Sequence, residues 1–246
     1  MSPNVFVGTS GWNYCDWKGG FYPETLKPRE YLDYYAKHFH TTEVNYSFYH
    51  LPKPGTYLNW ASQVPGDFIF AVKASRTITH IRRLKQATES WRIFLENASV
   101  LGTRLGPILL QFPPSFKKNC DVLSAFLQER HHPEGLKHPC LAFEFRHSSW
   151  FDDEVCQLLQ KHGCALVIAH SLRYPMAPFL PTAGFVYLRL HGPSALFASP
   201  YSDDQLRDWS TRIQGWLKVG KDVYVYFNND VRGYAIGNAK FLASLI

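Results

Sequence analysis

The chain of 246 residues lacks the features that mark membrane proteins, secreted proteins and cysteine-built metal sites. No apolar stretch approaches the roughly 20 residues that a membrane-spanning helix needs, and no basic segment followed by a long apolar one opens the sequence. The cysteines include no C-x-x-C pair, which disfavours a disulfide framework and a metal clip. They are Cys15, Cys120, Cys140, Cys156 and Cys164. We therefore expect a cytoplasmic protein that makes no membrane contact.

The chain also lacks a glycine-rich phosphate fingerprint and any long run of one charge. Gly8-Thr9-Ser10-Gly11 follows the first apolar run but does not match G-x-G-x-x-G, which disfavours an open dinucleotide-binding sheet. The densest basic cluster, His80-Ile81-Arg82-Arg83-Leu84-Lys85, is either a contact for a ligand phosphate or a solvated helix start. The formal net charge of +6 favours an anionic partner, either a small phosphate-containing ligand or nucleic acid. The oligomeric state is left open.

Eight short apolar runs are predicted to be β-strands, and segments with helical spacing separate most of them. The strands are Val5 to Gly8, Thr41 to Asn45, Phe68 to Lys73, Pro107 to Gln111, Leu141 to Phe145, Ala165 to Ala169, Phe185 to Leu190 and Asp222 to Phe227. The helical segments include Pro28 to Phe39, Thr88 to Leu101, Asp121 to Arg130, Asp152 to His162 and Asp203 to Leu217. This alternation predicts a parallel sheet with right-handed crossovers.

Eight strand-helix units in a chain of this length predict an α/β fold, a closed TIM-type (β/α)8 barrel that forms a single domain over residues 1–246. One connection departs from the plan. The segment from His170 to Gly184, between the sixth and seventh predicted strands, contains Pro175, Pro178 and Pro181. We expect an irregular connection there in place of a helix, because proline interrupts helices.

Polar residues follow nearly every predicted strand, at the end where barrel enzymes build their active sites. Charge placed directly after a buried apolar run is costly unless it is paired or faces a site. The sequence therefore predicts one shared polar cavity at the C-terminal mouth of the barrel. Its candidate residues are Thr9, Ser10, Trp12, Glu43, Asn45, Lys73, Gln111, Glu144, Arg146, His147, His170, Arg189, His191, Asn228 and Asn229.

Glu43 and Glu144 are the candidate general acid/base residues, since a partly desolvated carboxyl can have its pKa raised toward the working pH. Carboxylate acid/base chemistry would suit a hydrolase or an isomerase. The alternative is that each carboxylate forms a structural ion pair with Arg146 or Arg189. Within the stretch that carries Glu144, strand alternation predicts that Glu144 and Arg146 point to one side, and Phe145 and His147 to the other, until the strand ends.

Arg146, Arg189 and Lys73 form a candidate anion clamp, because guanidinium groups bind carboxylate or phosphate oxygens in two places at once. Lys73, the third catalytic candidate, has an alternative role as a Schiff-base lysine. That role requires a desolvated pocket that lowers the pKa of the amine. The remaining candidates for substrate contact are His191, Asn45, Gln111, Asn228, Trp12 and Ser10.

The histidines and aromatic residues at strand ends leave further alternatives open. His147, His170 and His191, with Glu43 and Glu144, are a conceivable metal ligand set. No local spacing such as H-E-x-x-H supports it, so a divalent metal is an alternative that we do not favour and the cofactor is open. The loop aromatics either stack bases or sugars or cap the barrel mouth. They are Trp12, Tyr14, Trp17, Phe21, Tyr22, Tyr46, Phe48 and Tyr49.

Ordered motifs along the whole chain resemble one known family. They are Gly8-Thr9-Ser10-Gly11-Trp12 with Tyr14, Trp17 and Phe21-Tyr22-Pro23; Glu43-Val44-Asn45 with Phe48-Tyr49; Lys73 with Thr79-His80; Gly106-Pro107 with Gln111-Phe112-Pro113-Pro114; Glu144-Phe145-Arg146-His147 with Ser149-Trp150; Arg189-Leu190-His191-Gly192; and Tyr226-Phe227-Asn228-Asn229 with Asn238-Ala239. With these motifs the chain resembles the YecE-like family, also called domain of unknown function seventy-two. The resemblance implies a TIM-type barrel and leaves the activity open, since the function of that family is largely unassigned.

The sixth predicted strand ends at His170-Ser171-Leu172, where members of that family often carry an acidic residue, so no acid or metal role is carried over to this position. We expect an enzyme acting on a phosphate-bearing or otherwise anionic substrate at the barrel mouth. The alternatives are a nucleic-acid-binding module without catalysis and a metal-dependent phosphodiesterase. The latter rests on a fold-level analogy to barrels such as endonuclease IV.

Overall fold

A parallel barrel of nine strands forms the centre of the protein, in a computed structural model that describes residues 3–130 and 139–246. The spatial order is β6-β5-β4-β3-β2-β1-β9-β8-β7. The strands are β1 (Val5–Thr9), β2 (Thr41–Val44), β3 (Ile69–Lys73), β4 (Leu105–Gln111), β5 (Leu141–Glu144), β6 (Ala165–Leu166), β7 (Ile168–His170), β8 (Phe185–Leu190) and β9 (Asp222–Phe227). The predicted TIM-type barrel is confirmed.

The sixth predicted strand is divided at Val167 into β6 and β7, which pair with different neighbours. β6 pairs with β5, whereas β7 pairs with β8. The amide of Val167 still donates to the carbonyl of Phe143 at 2.9 Å, and the amide of Leu166 donates to Oγ1 of Thr182 at 2.8 Å. One continuous segment therefore spans the seam of the barrel, and it changes partner along its length because each half reaches only one neighbouring strand.

Helices and short turns follow the strands, as the alternating pattern predicts. The helices in the described ranges are α1 (Tyr31–Ala36), α2 (Tyr46–Tyr49), α3 (Pro54–Ala61), α4 (Thr88–Ser99), α5 (Cys120–Glu129), α6 (Asp153–Lys161), α7 (Asp203–Lys218) and α8 (Tyr234–Ser244). Side chains of Asn119, Asp152 and Ser202 cap α5, α6 and α7 by accepting backbone amides. Residues 171–184 contain no helix, which confirms the irregular connection. None of these helices is long and apolar enough to cross a membrane.

Strand alternation creates the barrel interior and, above it, the polar mouth. Ala71, Ala142 and Tyr187 belong to an apolar cluster inside the barrel, and all three are fully buried. Two residues further along the same strands, on the same face, come Lys73, Glu144 and Arg189. The strand residues that point outward pack against the helices and form a second, larger hydrophobic core. Trp17, Trp91 and Trp150 are completely buried in this outer core.

Candidate functional site

The floor of the barrel mouth is a buried ion-pair cluster centred on Arg189. The Nε and Nη2 atoms of Arg189 donate to the two carboxylate oxygens of Glu43 at 2.9 and 2.7 Å. Its Nη1 atom donates to Oε2 of Glu144 at 2.6 Å. The side chains of Arg189, Glu43 and Glu144 are 1%, 0% and 1% exposed. One guanidinium from β8 thus joins carboxylates from β2 and β5, with the bidentate geometry that arginine favours.

Every carboxylate oxygen of the cluster has a donor. Ser10 and Tyr187 donate their hydroxyls to Glu43, the latter at 2.8 Å, and Arg146 donates Nε to Oε1 of Glu144 at 2.8 Å. Burial alone would raise the pKa of both carboxyls, but the charge of Arg189 outweighs it, and both pKa values lie below the ordinary range. Of the two alternatives that the sequence left open for Glu43 and Glu144, the ion pairs with Arg189 and Arg146 are observed.

Lys73 lies beside this cluster but does not join it. Its side chain is buried, with 9% exposure, and its Nζ atom lies 4.2 Å from the ring centroid of Phe48. Over residues 3–130 and 139–246, Lys73 makes no side-chain hydrogen bond or ion pair. Burial and the positive charge of Arg189 together lower the pKa of Lys73 to about 7, although Glu144 and Glu43 oppose the shift. The amine therefore lies near its titration midpoint at neutral pH.

Asp230, which follows β9, is a site residue that the sequence prediction missed. Its Oδ1 atom is buried and has no hydrogen-bond partner in the described part of the chain. Burial raises the pKa of Asp230 to about 7, the nearby charge of Glu43 adds to the shift, and the Tyr14 hydroxyl beside it opposes the shift. Trp17 fixes the backbone here by donating Nε1 to the Asp230 carbonyl at 3.0 Å. Asp230 could have been predicted from its position directly after Asn228 and Asn229, which were predicted to lie at the mouth.

An open cavity of about 710 Å³ lies above the cluster. Lys73 ends β3, and the cations Arg76 and Arg146 follow β3 and β5. Asp16 and Asp230 follow β1 and β9, on the opposing arc of the barrel. The cavity is therefore polarised, with unequal charge on its two sides. Its lining residues are Tyr14, Asp16, Asn45, Phe48, Tyr49, Lys73, Arg76, His80, Gln111, Arg146, Arg189, Phe197, Asn228, Asp230 and Val231.

Several predicted polar residues meet at this cavity. Asn45 donates its amide to Oγ of Ser10 at 2.8 Å, and Gln111 donates to the Phe112 carbonyl at 2.7 Å. Asn228 is 3.1 Å from Nδ1 of His191, a buried histidine whose pKa is lowered by burial. The cavity therefore gathers side chains that follow strands distant in sequence, including both amide-bearing and charged groups.

Trp12 lies outside this cavity, in a neighbouring groove of about 960 Å³. Its ring meets that of Trp60 edge to face, with 5.5 Å between centroids, and Trp60 also contacts the ring of the exposed Tyr46. Tyr14 and Asn45 line both the groove and the cavity. A ligand that fills the cavity could thus extend past these two residues onto an aromatic surface.

The histidines considered as metal ligands do not converge. His147 bonds Ser149 at 2.8 Å and His170 bonds Tyr201 at 2.7 Å. Within residues 3–130 and 139–246, no group of three or more His, Cys, Asp or Glu side chains is arranged to hold a metal ion. Of the basic cluster at residues 80–85, His80 lines the cavity, whereas Arg83 turns away to bond Ser115 at 3.0 Å.

Sequence comparison places this barrel among known proteins. The family model described as protein of unknown function DUF72 matches residues 6–246. The UPF0759 protein YunF of Bacillus subtilis (strain 168) is 25% identical in an alignment of 272 positions, gaps included, that covers 98% of this chain and 94% of that protein. The UPF0759 protein YecE of Escherichia coli (strain K12) is 33% identical over 112 residues, which span 46% of this chain and 39% of that protein.

Comparison of structures gives the same grouping. A crystal structure of a DUF72 family protein from Thermotoga maritima MSB8 is 30% identical, with a TM-score of 0.86, and 98% of each chain is covered. A methyltransferase from Methanosarcina mazei has a TM-score of 0.58 at 11% identity, covering 99% of this chain and 93% of that one. The likeness to the methyltransferase concerns the fold alone.

Proposed function

The chain belongs to the DUF72 family, and for this member we propose an enzyme that acts on a phosphate-bearing or otherwise anionic substrate at the C-terminal mouth of its barrel. The observation that carries the proposal is that Lys73 and Asp230 line one cavity, each without an ion pair in the described residues and each with a pKa shifted to about 7. Catalytic acids and bases work best when their pKa lies near the operating pH, and such shifts cluster at functional sites.

The anion would be held by the cationic side of the cavity. Arg146 uses Nε to bind Glu144, and its terminal nitrogens have no hydrogen-bond partner within the described residues. Its guanidinium also lies 4.2 Å from the ring centroid of Tyr174, which helps to orient its plane. Arg76 adds an exposed cation to the same cavity. Such a pair of guanidinium groups suits phosphate or carboxylate oxygens.

We assign Glu43 and Glu144 to positioning, because both are ion-paired and their pKa values lie below the ordinary range. They hold Arg189, and Glu144 also orients Arg146 toward the substrate. Proton transfer is assigned to Asp230 and Lys73, and substrate orientation to Asn45, Gln111 and Asn228. A reaction that moves protons on an anionic substrate, as in an isomerase or a hydrolase, fits this division of roles.

The test combines a binding measurement with a substrate screen. Binding of inorganic phosphate to the wild-type protein should be measurable by calorimetry, and Arg146→Met should weaken that binding at least tenfold.

The second test measures activity. With any substrate found among phosphorylated metabolites, Asp230→Asn should lower kcat by about 10² or more, the usual contribution of general acid/base catalysis. Asp16→Asn, which alters an exposed carboxylate of the same cavity, is the matched control and should keep most of the activity. Unchanged phosphate binding in the Arg146 variant, or full activity in the Asp230 variant, would contradict the proposal.

A second candidate, binding of single-stranded nucleic acid, is favoured by the aromatic groove beside the cavity. Trp12, Trp60 and the exposed Tyr46 offer ring faces and edges for stacking, next to the cations of the mouth. Oligonucleotide binding should then fall steeply with salt concentration and weaken in Trp60→Ala. Absence of binding at low salt would remove this candidate.

A further inference from the structure

Lys73 is an amine buried beside two carboxylates, yet it has no counter-ion within residues 3–130 and 139–246. The reason is that the oxygens of Glu43 and Glu144 already accept hydrogen bonds from other donors. Both oxygens of Glu43 accept from Arg189, and its Oε1 and Oε2 also accept from Ser10 and Tyr187. Arg189 and Arg146 occupy one oxygen each of Glu144. The neighbouring negative charges are therefore already neutralised by guanidinium groups.

The remaining surroundings of the amine also disfavour its charged form. Nζ of Lys73 lies 4.2 Å from the centroid of the Phe48 ring, a weak partner for an ammonium compared with a carboxylate. Arg189 and Arg146, which line the same cavity, add positive charges that lower the pKa of Lys73 further. A desolvated lysine beside another cation is the arrangement that turns the amine into a nucleophile at neutral pH.

We propose that Lys73 forms a Schiff base with the carbonyl carbon of an aldehyde or ketone that also carries an anionic group. The proposal rests on the function proposed above, since the anion is the part of the substrate that Arg146 and Arg76 would hold. The substrate class is therefore narrower than an anionic compound in general, and includes α-keto acids, aldehyde acids and phosphorylated sugars in their open form.

The chemistry is balanced by groups of the same cavity. The lone pair of the neutral Lys73 amine forms a bond to the carbonyl carbon, and the carbonyl electron pair moves to oxygen, which takes a proton from the Asp230 carboxylic acid. The nitrogen of the resulting carbinolamine loses a proton, which returns to Asp230. The Asp230 carboxylic acid then donates this proton to the hydroxyl group as the carbon-oxygen bond breaks, so that water leaves, the nitrogen lone pair forms the carbon-nitrogen double bond of a protonated Schiff base, and Asp230 is left as a carboxylate. Hydrolysis reverses these steps and restores the amine.

The lowered pKa of Lys73 supports its role as a nucleophile. With a pKa of about 7, roughly half of the Lys73 side chains are neutral at pH 7, whereas an ordinary lysine is neutral in only about one molecule per several thousand at that pH. Asp230, with a pKa of about 7, is protonated to a similar extent, so the nucleophile and the proton donor are available in the same pH range.

Reductive trapping on the full-length wild-type protein tests the proposal. The probes are glyoxylate, an anionic aldehyde, and glycolaldehyde, a neutral aldehyde of the same carbon number, each with cyanoborohydride at pH 7. Peptide mass spectrometry then measures the rate of modification at each lysine. We expect Lys73 to be modified by glyoxylate at least tenfold faster than the exposed Lys85, and inorganic phosphate to slow that modification. Trapping at Lys73 no faster than at Lys85 would overturn the Schiff-base role.

Variants separate this inference from the function on which it rests. Lys73→Arg should remove the fast modification, whereas Lys85→Arg should leave it unchanged. Arg146→Met should abolish the preference for glyoxylate over glycolaldehyde while Lys73 stays reactive. Fast trapping by both aldehydes with no effect of phosphate would support the nucleophile and refute the anionic substrate. Phosphate binding that depends on Arg146, without fast trapping at Lys73, would refute the Schiff base and support the proposed function.

Discussion

Two arginines of this protein each bridge two glutamates, in opposite environments. On α4, Arg92 binds Glu89 at 2.7 and 2.9 Å and Glu96 at 2.7 Å, with side chains that are 38%, 68% and 41% exposed. In the barrel mouth, Arg189 makes contacts of similar length to Glu43 and Glu144, with all three side chains at most 1% exposed. The hydrogen-bond geometry is nearly the same, so environment separates the two clusters.

The two arginine-glutamate clusters also differ in how far apart their members lie in the sequence. The partners of Arg92 lie three and four residues away on one helix, where such pairs form locally and water screens them. The partners of Arg189 lie 146 and 45 residues away on other strands. Removing one member of a buried cluster leaves an uncompensated charge, whereas removing an exposed one returns its partners to water. The same contacts can therefore have very different consequences.

The largest effect is expected for Arg189→Met. It leaves Glu43 and Glu144 buried without their shared cation, which costs about 3–5 kcal/mol in comparable buried pairs. Urea unfolding at neutral pH should show this loss. The triple variant with Glu43→Gln and Glu144→Gln should recover part of it, because no buried carboxylate is then left without Arg189. A loss below about 1 kcal/mol in the single variant would show that the cluster is solvated, contrary to its burial.

An intermediate effect is expected for Lys73 and Asp230, the two titratable groups of the cavity without ion pairs in the described residues. The stability contribution of Asp230 falls as the pH rises toward 7, whereas that of Lys73 rises as the pH increases above 7. The pKa of Asp230 is raised to about 7, so its contribution to stability is full below about pH 4 and is lost as the pH rises toward 7. The pKa of Lys73 is lowered to about 7, so its contribution is full above about pH 10.4 and is lost as the pH falls through 7.

The free energy of unfolding, measured as a function of pH, would reveal the titrations of Asp230 and Lys73. Relative to wild type, Asp230→Asn should remove a decline in stability between about pH 4 and 7, and Lys73→Met should remove a rise between about pH 7 and 10. Each slope is limited to about 1.4 kcal/mol per pH unit, and solvent screening reduces it for the partly exposed Asp230. Variant curves that run parallel to that of the wild type would contradict these shifts.

The smallest effect is expected for Arg92→Ala. Its glutamate partners are solvated, so the midpoint of unfolding should stay close to that of the wild type, at low and at high salt alike. The measurement is the same urea titration used for Arg189→Met. A large loss of stability here would mean that exposure does not distinguish the two clusters.

Much of the barrel could be predicted from the sequence, because apolar runs of strand length mark its walls. Glu43, Lys73, Glu144 and Arg189 lie at or within two residues of the ends of such runs, and all four are buried at the mouth. The division of the sixth strand at Val167 was not predictable, since the apolar run is continuous and the break depends on which neighbours each half can reach.

The roles within the site were harder to predict. The sequence placed Glu43 and Glu144 equally well in acid/base chemistry or in ion pairs, and the choice depends on Arg189, which is distant in the chain. Among the described residues, the carboxyl of the site with a raised pKa is that of Asp230, which follows two asparagines in a loop. Desolvation of that loop arises from packing of residues such as Tyr14 and Trp17, which no local pattern near Asp230 reveals.

The cluster on Arg189 also bears on how the barrel assembles. Glu43 and Glu144 enter on β2 and β5, early in the chain, and their like charges repel each other when the strands come together. Arg189 arrives only with β8, late in the sequence. A partial barrel that lacks β8 therefore holds Glu43 without its guanidinium partner and Glu144 with Arg146 alone, and Arg189 supplies the missing partner to both carboxylates. This central cation thus favours the closed ring over fragments that end before β8.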